Sequence, residues 1–303
     1  MTEIYEKLLG AADKNHIKVG EEMRKHTSFR VGGPAACFVT PTEDIELAAV
    51  IKVCRQEEIP FFILGNGSNL LVGDKGFDGV VISMDSFLSC DVNQETGVMK
   101  AGAGISLAKL AQEAYKASLT GFEFAAGIPG TLGGAVVMNA GAYGSEMKEV
   151  LRGIKVVTGE GEIKEISACE LSLGYRTSII TSRQYVVLEA TIRLKEGDPV
   201  SIKNRMDELT RRRKEKQPLE YPSAGSTFKR PEGYFAGKLI EDAGLRGFSV
   251  GGAQVSEKHC GFVINKDQAT AADILALCEE IKNRVYQNSG VKLEMEVKTL
   301  GKF

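Results

Sequence analysis

Residues 65–76 read GNGSNLLVGDKG and follow the apolar run IPFFILG, residues 59–65. A strand that closes on glycine after the helix-patterned TEDIELAAVIKVCRQEE (42–58) makes a β-α-β unit. Such units bind ligands at the carboxyl ends of their strands. Gly65-Asn66-Gly67 begins like a dinucleotide fingerprint. That fingerprint requires glycine at position 70, where Leu70 stands, and no clean helix follows. A nicotinamide-binding Rossmann fold is therefore disfavoured. GYFAGKL (233–239) is not a phosphate P-loop either: its glycine spacing is one residue short, and Leu239 replaces the required serine or threonine.

Working outward, VGGPAACFVTP (31–41) reads as a strand closed by Pro41. Thr42 is the expected cap of the next helix. Glu43 and Asp44 favour its first turn, and Ile45, Ala48, Ala49 and Val53 form its apolar stripe. Residues 65–76 read as loop and GVVISM as strand. A second unit starts near residue 88, with the strand VMKAGAG and a helix capped by Ser106. Next comes GFEFAAGIPGTLGGAVVMNAGAYG (121–144), with seven glycines in twenty-four residues. Residues 154–167 predict a hairpin, SACE (167–170) a capping box, and 185–194 a strand. EGDP (196–199) marks a boundary before a long helix, 199–215. The third unit has a helix with Ala236, Leu239, Ile240 and Ala243 on one face, the strand HCGFVIN, an amphipathic helix ADILALCEEIKNRVYQ and a strand VKLEMEVKTLG.

The 303 residues provide for two or three domains, and 43% apolar with 26% charged residues is ordinary globular composition. A net charge of -2 gives no basic field to collect nucleic acid or an anionic membrane. No apolar run reaches the length of a membrane span, and the amphipathic N-terminus has no secretory h-region. Six cysteines without CxxC spacing read as reduced, buried thiols of a cytoplasmic protein. Three dispersed histidines make a protein-built metal site unexpected. No obligate protein partner is evident. The 34 glycines are clustered, which signals tight turns or close approach to a ligand. Successive N–H groups in two such loops form nests able to cradle a pyrophosphate. YPSAGSTFKRP (221–231) poses a further question: a lone hydroxyl, Ser226, held between Gly225 and an aromatic followed by a basic pair. Read alone it is a surface turn, or a hydroxyl placed to move a proton.

HTSFRVGGPA (26–35), LGNGSNLLV (64–72) and GIPGTLGGAVVMNAGAYG (127–144) resemble the FAD-binding segments of UDP-N-acetylenolpyruvoylglucosamine reductases. The resemblance continues in order through GYRTS (174–178), SAGSTFKRP (223–231), AGKLIEDAGLRG (236–247), HCGFVIN (259–265) and LEMEVKTLG (293–301). It implies an α+β fold: a two-part FAD-binding region of the vanillyl-alcohol-oxidase/PCMH type plus a C-terminal α/β substrate-binding domain. The expected spans are 1–87, 88–198 and 199–303. It implies a cytoplasmic, FAD-dependent enzyme of peptidoglycan precursor synthesis, hence of cell-wall biogenesis. Its reductant is NADPH, and its substrate is UDP-N-acetylglucosamine enolpyruvate, reduced to UDP-N-acetylmuramate.

By motif position, Ser226 matches the family's proton donor, Arg176 its enolate-stabilising cation and Glu296 its acid near the same carboxylate. FAD contacts fall on Arg30, on Gly65, Asn66, Gly67, Ser68 and Asn69, and on Gly127, Ile128, Pro129, Gly130, Thr131, Gly133, Gly134 and Ala135. Asn139, Gly141 and Ala142 complete that set. Candidates for the substrate's anionic groups are Tyr175, Arg212, Lys216, Lys229 and Lys238, with His259 as a cleft or structural histidine. Arg230 stands where some members carry asparagine. The span from Tyr175 to Arg212 is too short for the extra tyrosine loop of the family's longer form, so the shorter form is expected. The alternative enzyme is another FAD-dependent oxidoreductase of the superfamily. A serine hydrolase lacks its G-x-S-x-G signature, and a non-catalytic nucleotide binder would leave the C-terminal polar positions unexplained.

Overall fold

The structure, a computed structural model, describes residues 2–303, with the side chain of Thr2 outside the description. Of the predicted N-terminal helix, Met1 lies outside the described residues and Thr2–Leu8 is helical. The chain forms two compact units: Met1–Val19 with Cys37–Asn66 and Gly79–Arg213, and Gly20–Ala36 with Gly67–Asp78 and Lys214–Phe303. These units do not follow the three expected spans. The helix Pro199–Lys216 falls almost wholly in the first unit, because Ile202 and Leu209 are buried there. Residues 20–36 and 67–78 fold with the C-terminal residues, because Phe29, Val31 and Leu71 join the same apolar cluster as Phe228, Ile240 and Ile281.

The first unit is built around two sheets. One orders its strands Ile17–Glu22, Pro34–Val39, Phe77–Ser83, Phe61–Leu64. Phe61–Leu64 lies parallel to Phe77–Ser83, and the helix Asp44–Gln56 runs between the strands Pro34–Val39 and Phe61–Leu64 of the same sheet, so the predicted strand-helix-strand order is present. The fully buried stripe of that helix is Leu47, Val50, Ile51 and Cys54; of the predicted stripe, Ala48, Ala49 and Val53 are half-buried and pack against the same core, while Ile45 is exposed. Thr42 is not the cap. Its N–H instead donates to Glu46, and Glu43 occupies the cap position. The second sheet is wholly antiparallel, in the order Ile163–Ser167, Leu151–Val157, Val186–Arg193, Val98–Gly102, Cys90–Asn93. The predicted boundary near 88 falls between these two sheets. The Ser106 cap and the Ser167/Glu170 capping box form as read, and so does the hairpin read over 154–167, whose first strand starts three residues earlier at Leu151.

In the second unit an antiparallel sheet, Ser249–Val250, Ala253–Val255 and Val263–Asn265, packs against the helix Ala271–Ser289. That helix starts at a Thr270/Asp273 capping box and stops at Gly290, whose φ of 70° is left-handed. Two readings of the sequence need correction here. Leu70–Val72, inside the predicted loop, is a strand parallel to Lys298–Leu300. Of VKLEMEVKTLG, only Lys298–Leu300 is regular strand, preceded by a single bridge at Met295. Four of the six cysteines are buried, and burial pushes the Cys54 and Cys278 thiols up to about 12. Cys169 is exposed, contrary to expectation.

Candidate active site

The loop 65–69 begins where the strand Phe61–Leu64 ends. Gly65 is required there because a Cβ would sit 2.4 Å from Thr131 Oγ1, so the two glycine loops touch at this point. Gly67 adopts a φ of +57°, and a Cβ on it would meet the His26 carbonyl at 2.1 Å. Its carbonyl accepts the N–H of Ser28 at 3.2 Å. Among the described residues, the N–H groups of Asn66, Gly67, Ser68 and Asn69 find no acceptor in the chain. Four successive open donors form the nest expected for a phosphate anion. Arg30, two residues after Ser28, is exposed and left-handed at φ 57°. The side chain of Asn69 is committed elsewhere: it donates to the Glu296 carbonyl at 3.2 Å.

The second loop has the same composition and a different economy of hydrogen bonds. Ile128, Gly130, Leu132 and Gly133 donate to the carbonyls of Ala125, Ile128, Ile105 and Ala103. Gly134 donates to Thr131 Oγ1, which caps the short helix Leu132–Val137. The reading of this loop as a second nest is therefore corrected: most of its donors serve its own fold. What it offers is an open surface at Gly134, which is exposed and where a Cβ would find only Thr131 Oγ1, at 3.5 Å. Pro129 is exposed beside it, and Gly127, Ile128, Gly141 and Ala142 are half-buried.

Arg176 sits in a turn closed on both sides, with Gly174 and Thr177 exchanging main-chain hydrogen bonds at 3.0 and 3.3 Å. Its φ of 55° is left-handed, an uncommon state for a side chain of this size. Asn139 holds the turn. It is buried, itself left-handed at 41°, and donates to the Gly174 carbonyl at 3.1 Å and to Glu146 at 2.9 Å while accepting from Lys148 N–H at 2.9 Å. Ser178 adds a bond to the Val137 carbonyl at 2.7 Å. The Arg176 turn is thus stapled to the end of the glycine-rich segment. Tyr175 projects into solvent, with the Arg176 guanidinium 5.6 Å from its ring centre.

Ser226 lies on a bend in the second unit. Gly225 before it has a φ of +76°, and Thr227 after it is buried. Thr227 N–H donates to the Gly261 carbonyl at 2.9 Å, and its Oγ1 accepts Val263 N–H at 2.9 Å. On the other side Lys229 N–H donates to the Glu294 carbonyl at 2.8 Å, and Glu296 N–H to the Thr227 carbonyl at 2.9 Å. The bend is clamped between two segments while Ser226 itself is exposed. Ser226 and Glu296, seventy residues apart, are brought together by that last bond, and Glu296 is half-buried.

The substrate candidates are less gathered. Arg212 pairs with Glu208 at 2.5 Å, Lys238 with Asp242 at 2.5 Å and Lys229 with Glu294 at 2.6 Å. Lys229 holds the Glu294 carboxyl below its ordinary range. Exposed pairs of this kind are weak in water. Lys216 is exposed. His259 accepts Gly261 N–H on Nδ1 at 3.0 Å and stacks edge-on against Phe262, and burial lowers its pKa. One residue was missed. Arg213, not Arg212, is the helix-end cation turned inward, and its Nη1 donates to the Gly127 carbonyl. The helical phase carried the signal: Arg213 follows Leu209 by four and Ile202 by eleven, while Arg212 follows Glu208 by four.

Comparisons with known proteins agree with this layout. A family model for an FAD binding domain matches residues 35–167, and one for the C-terminal domain of UDP-N-acetylenolpyruvoylglucosamine reductase matches residues 217–300. A glucose dehydrogenase, Phl p 4, superposes on 65% of this chain and 44% of its own with a TM-score of 0.51 at 14% identity, a likeness of fold alone. The fold is thus α+β, an FAD-binding region of the PCMH type followed by a C-terminal domain. UDP-N-acetylenolpyruvoylglucosamine reductase of Clostridioides difficile is 53% identical over 99% of this chain and 98% of its own length. The crystal structure of UDP-N-acetylenolpyruvylglucosamine reductase from Thermus caldophilus matches with a TM-score of 0.79 at 38% identity, covering 94% of this chain and 98% of that one. The chain belongs to the UDP-N-acetylenolpyruvoylglucosamine reductase family.

Proposed function

We propose that the protein is an FAD-dependent oxidoreductase that reduces UDP-N-acetylglucosamine enolpyruvate to UDP-N-acetylmuramate with NADPH. The observation that carries the residue roles is the clamped bend that exposes Ser226 one residue from the main-chain bond to Glu296. FAD, when bound, supplies a two-electron relay between NADPH and C3 of the enolpyruvyl group. The residues present suit it: the open amides of 66–69 match a diphosphate, and the bare face at Gly134 leaves room for close approach. Gly127–Ala135, Asn139, Gly141, Ala142 and Arg30 are its further contacts.

Addition of hydride at C3 makes C2 strongly basic. A neutral hydroxyl suffices as donor to such a carbon if it is already in place. Ser226 gives its proton to C2, and the clamp on Thr227 fixes where that proton starts. Arg176 offsets the charge that grows on the enolate and carboxylate. Its left-handed backbone, held by Asn139, keeps it from relaxing away. Glu296 acts beside the same carboxylate. Tyr175, Arg212, Lys216, Lys229, Lys238 and His259 are the substrate contacts in this reading, with His259 reduced to its Nε2 side because Nδ1 is occupied. The enzyme works in the cytoplasm.

The test is product identity. The chain supplied with FAD, NADPH and the enolpyruvyl ether should yield a product heavier by two hydrogen atoms, with one NADPH oxidised per molecule. Oxidation of NADPH without that product would sink the reading and favour another flavin-dependent oxidoreductase.

A further inference from the structure

The helix Pro199–Lys216 buries Ile202 and Leu209 and half-buries Met206; Arg213 is the next residue on that stripe, also half-buried. Its Nη1 donates to the Gly127 carbonyl, and a Cβ on Gly127 would lie 3.3 Å from Arg213 Cδ. One turn earlier, the Tyr143 hydroxyl donates to the Leu209 carbonyl at 3.3 Å, from a residue left-handed at φ 57°. The helix is therefore laced to both ends of the segment 127–144.

The charge is the part that packing alone does not require. Arg205 and Arg212 pair with Glu208. Arg213 has no carboxylate partner among the described residues. Burial lowers its pKa, yet an arginine stays protonated at any ordinary pH. Burying a cation without a counter-charge is costly. A glutamine could make the same bond to a carbonyl without that cost. A guanidinium has five N–H donors, and Gly127 takes one of them.

We infer that Arg213 is a cofactor-positioning residue, bracing the Gly127 carbonyl while presenting its uncompensated charge to the anionic part of FAD. The inference rests on the functional reading above. Two anions of the cofactor qualify, the diphosphate and the flavin ring once reduction has charged it.

The full-length chain, Arg213→Gln and Arg213→Lys are compared with and without FAD. Three quantities are read: melting temperature without FAD, dissociation constant for oxidised FAD by fluorescence, and two-electron midpoint potential. Arg213→Gln should melt no lower than wild type without FAD, since it sheds a half-buried charge and keeps a donor for Gly127. If the diphosphate is the partner, its dissociation constant for FAD rises at least tenfold. If the reduced ring is the partner, the potential falls by about 30 mV, the equivalent of a tenfold loss for a two-electron couple. In either case Arg213→Lys recovers part of the loss, because it keeps the charge. Unchanged affinity and potential in Arg213→Gln overturn the inference while leaving the functional reading intact. A lower melting temperature without FAD, with no change in either quantity, assigns Arg213 to structure and overturns it as well. A wild-type chain that takes up no FAD overturns both.

Discussion

The bend that carries Ser226 and the turn that carries Arg176 are held by opposite means. The bend is held almost entirely by the main chain: Thr227, Lys229 and Glu296 donate or accept through backbone atoms, and one hydroxyl, Thr227 Oγ1, assists. The turn is held by side chains, with Asn139 serving three partners and Ser178 a fourth. A main-chain clamp does not depend on the residue it displays. A side-chain staple ties the place of Arg176 to the identity of a residue thirty-seven positions away. The displayed residue on the bend can therefore be changed without disturbing its support, and the turn offers no such separation.

The sharpest use of this contrast is Ser226→Ala. Turnover of the enolpyruvyl substrate should fall about 10²–10⁴-fold, the range for loss of a general acid. Reduction by NADPH should stay within about twofold of wild type, and the melting temperature should not move. A matching fall in reduction by NADPH would show that the bend is not an independent support. Asn139→Ala is expected to destabilise by about 1–3 kcal/mol, since the buried Asn139 side chain bonds the half-buried Gly174 and Glu146 and the Lys148 N–H. It should slow both half-reactions, through the glycine-rich segment and through Arg176. A loss confined to one half-reaction would separate the turn from the loop it is stapled to.

Thr227→Val removes the one side-chain contribution to the clamp at nearly constant volume. The Val263 N–H would lose its acceptor, at a cost of about 1–3 kcal/mol by denaturant titration, while the fraction that remains folded keeps its turnover. Lost turnover at full stability would mean that the hydroxyl, rather than the main chain, aims Ser226. The smallest effect is one of pH. Burial lowers the His259 pKa, so the unfolded chain takes up that proton first as pH falls below about 6.5. The contribution is absent above that value, grows as pH falls towards the folded pKa, and stays fully destabilising below it. His16 has a pKa raised by Glu46 and works in the opposite sense. Comparing melting temperatures of wild type and His259→Gln between pH 7 and about 5 isolates the term, and the variant should lose less. Parallel curves would place the lowered pKa elsewhere.

Local order was legible in the residues because local chemistry fixes it. Ser106 and the Ser167/Glu170 box sit at the helix starts that their side chains satisfy. The strand-loop-helix rhythm placed Gly65 at the end of a strand. The motifs in order identified the family, and with it Ser226, Arg176 and Glu296 as positions to inspect. What stayed hidden depends on contacts far apart in sequence. Leu70–Val72 looks like loop until Lys298–Leu300 pairs with it from more than two hundred residues away. Residues 20–36 belong with the C-terminal unit because Phe29 and Val31 are buried among its side chains. The two glycine loops look alike as strings, and only their hydrogen bonds show that one leaves its amides open while the other uses them. Ile45 was misjudged because helical phase was assigned without knowing which side faced the core, and Arg213 was passed over because its helix was given no phase at all.

One anaerobic experiment tests the assigned chemistry most directly, the visible absorption spectrum of the FAD-loaded chain taken before NADPH, after NADPH, and after UDP-N-acetylglucosamine enolpyruvate. The predicted result is a yellow flavin spectrum that bleaches with the reductant and returns in full with the substrate. A chain that acquires no flavin spectrum, or one that bleaches and is not restored by the enolpyruvyl ether, would contradict it.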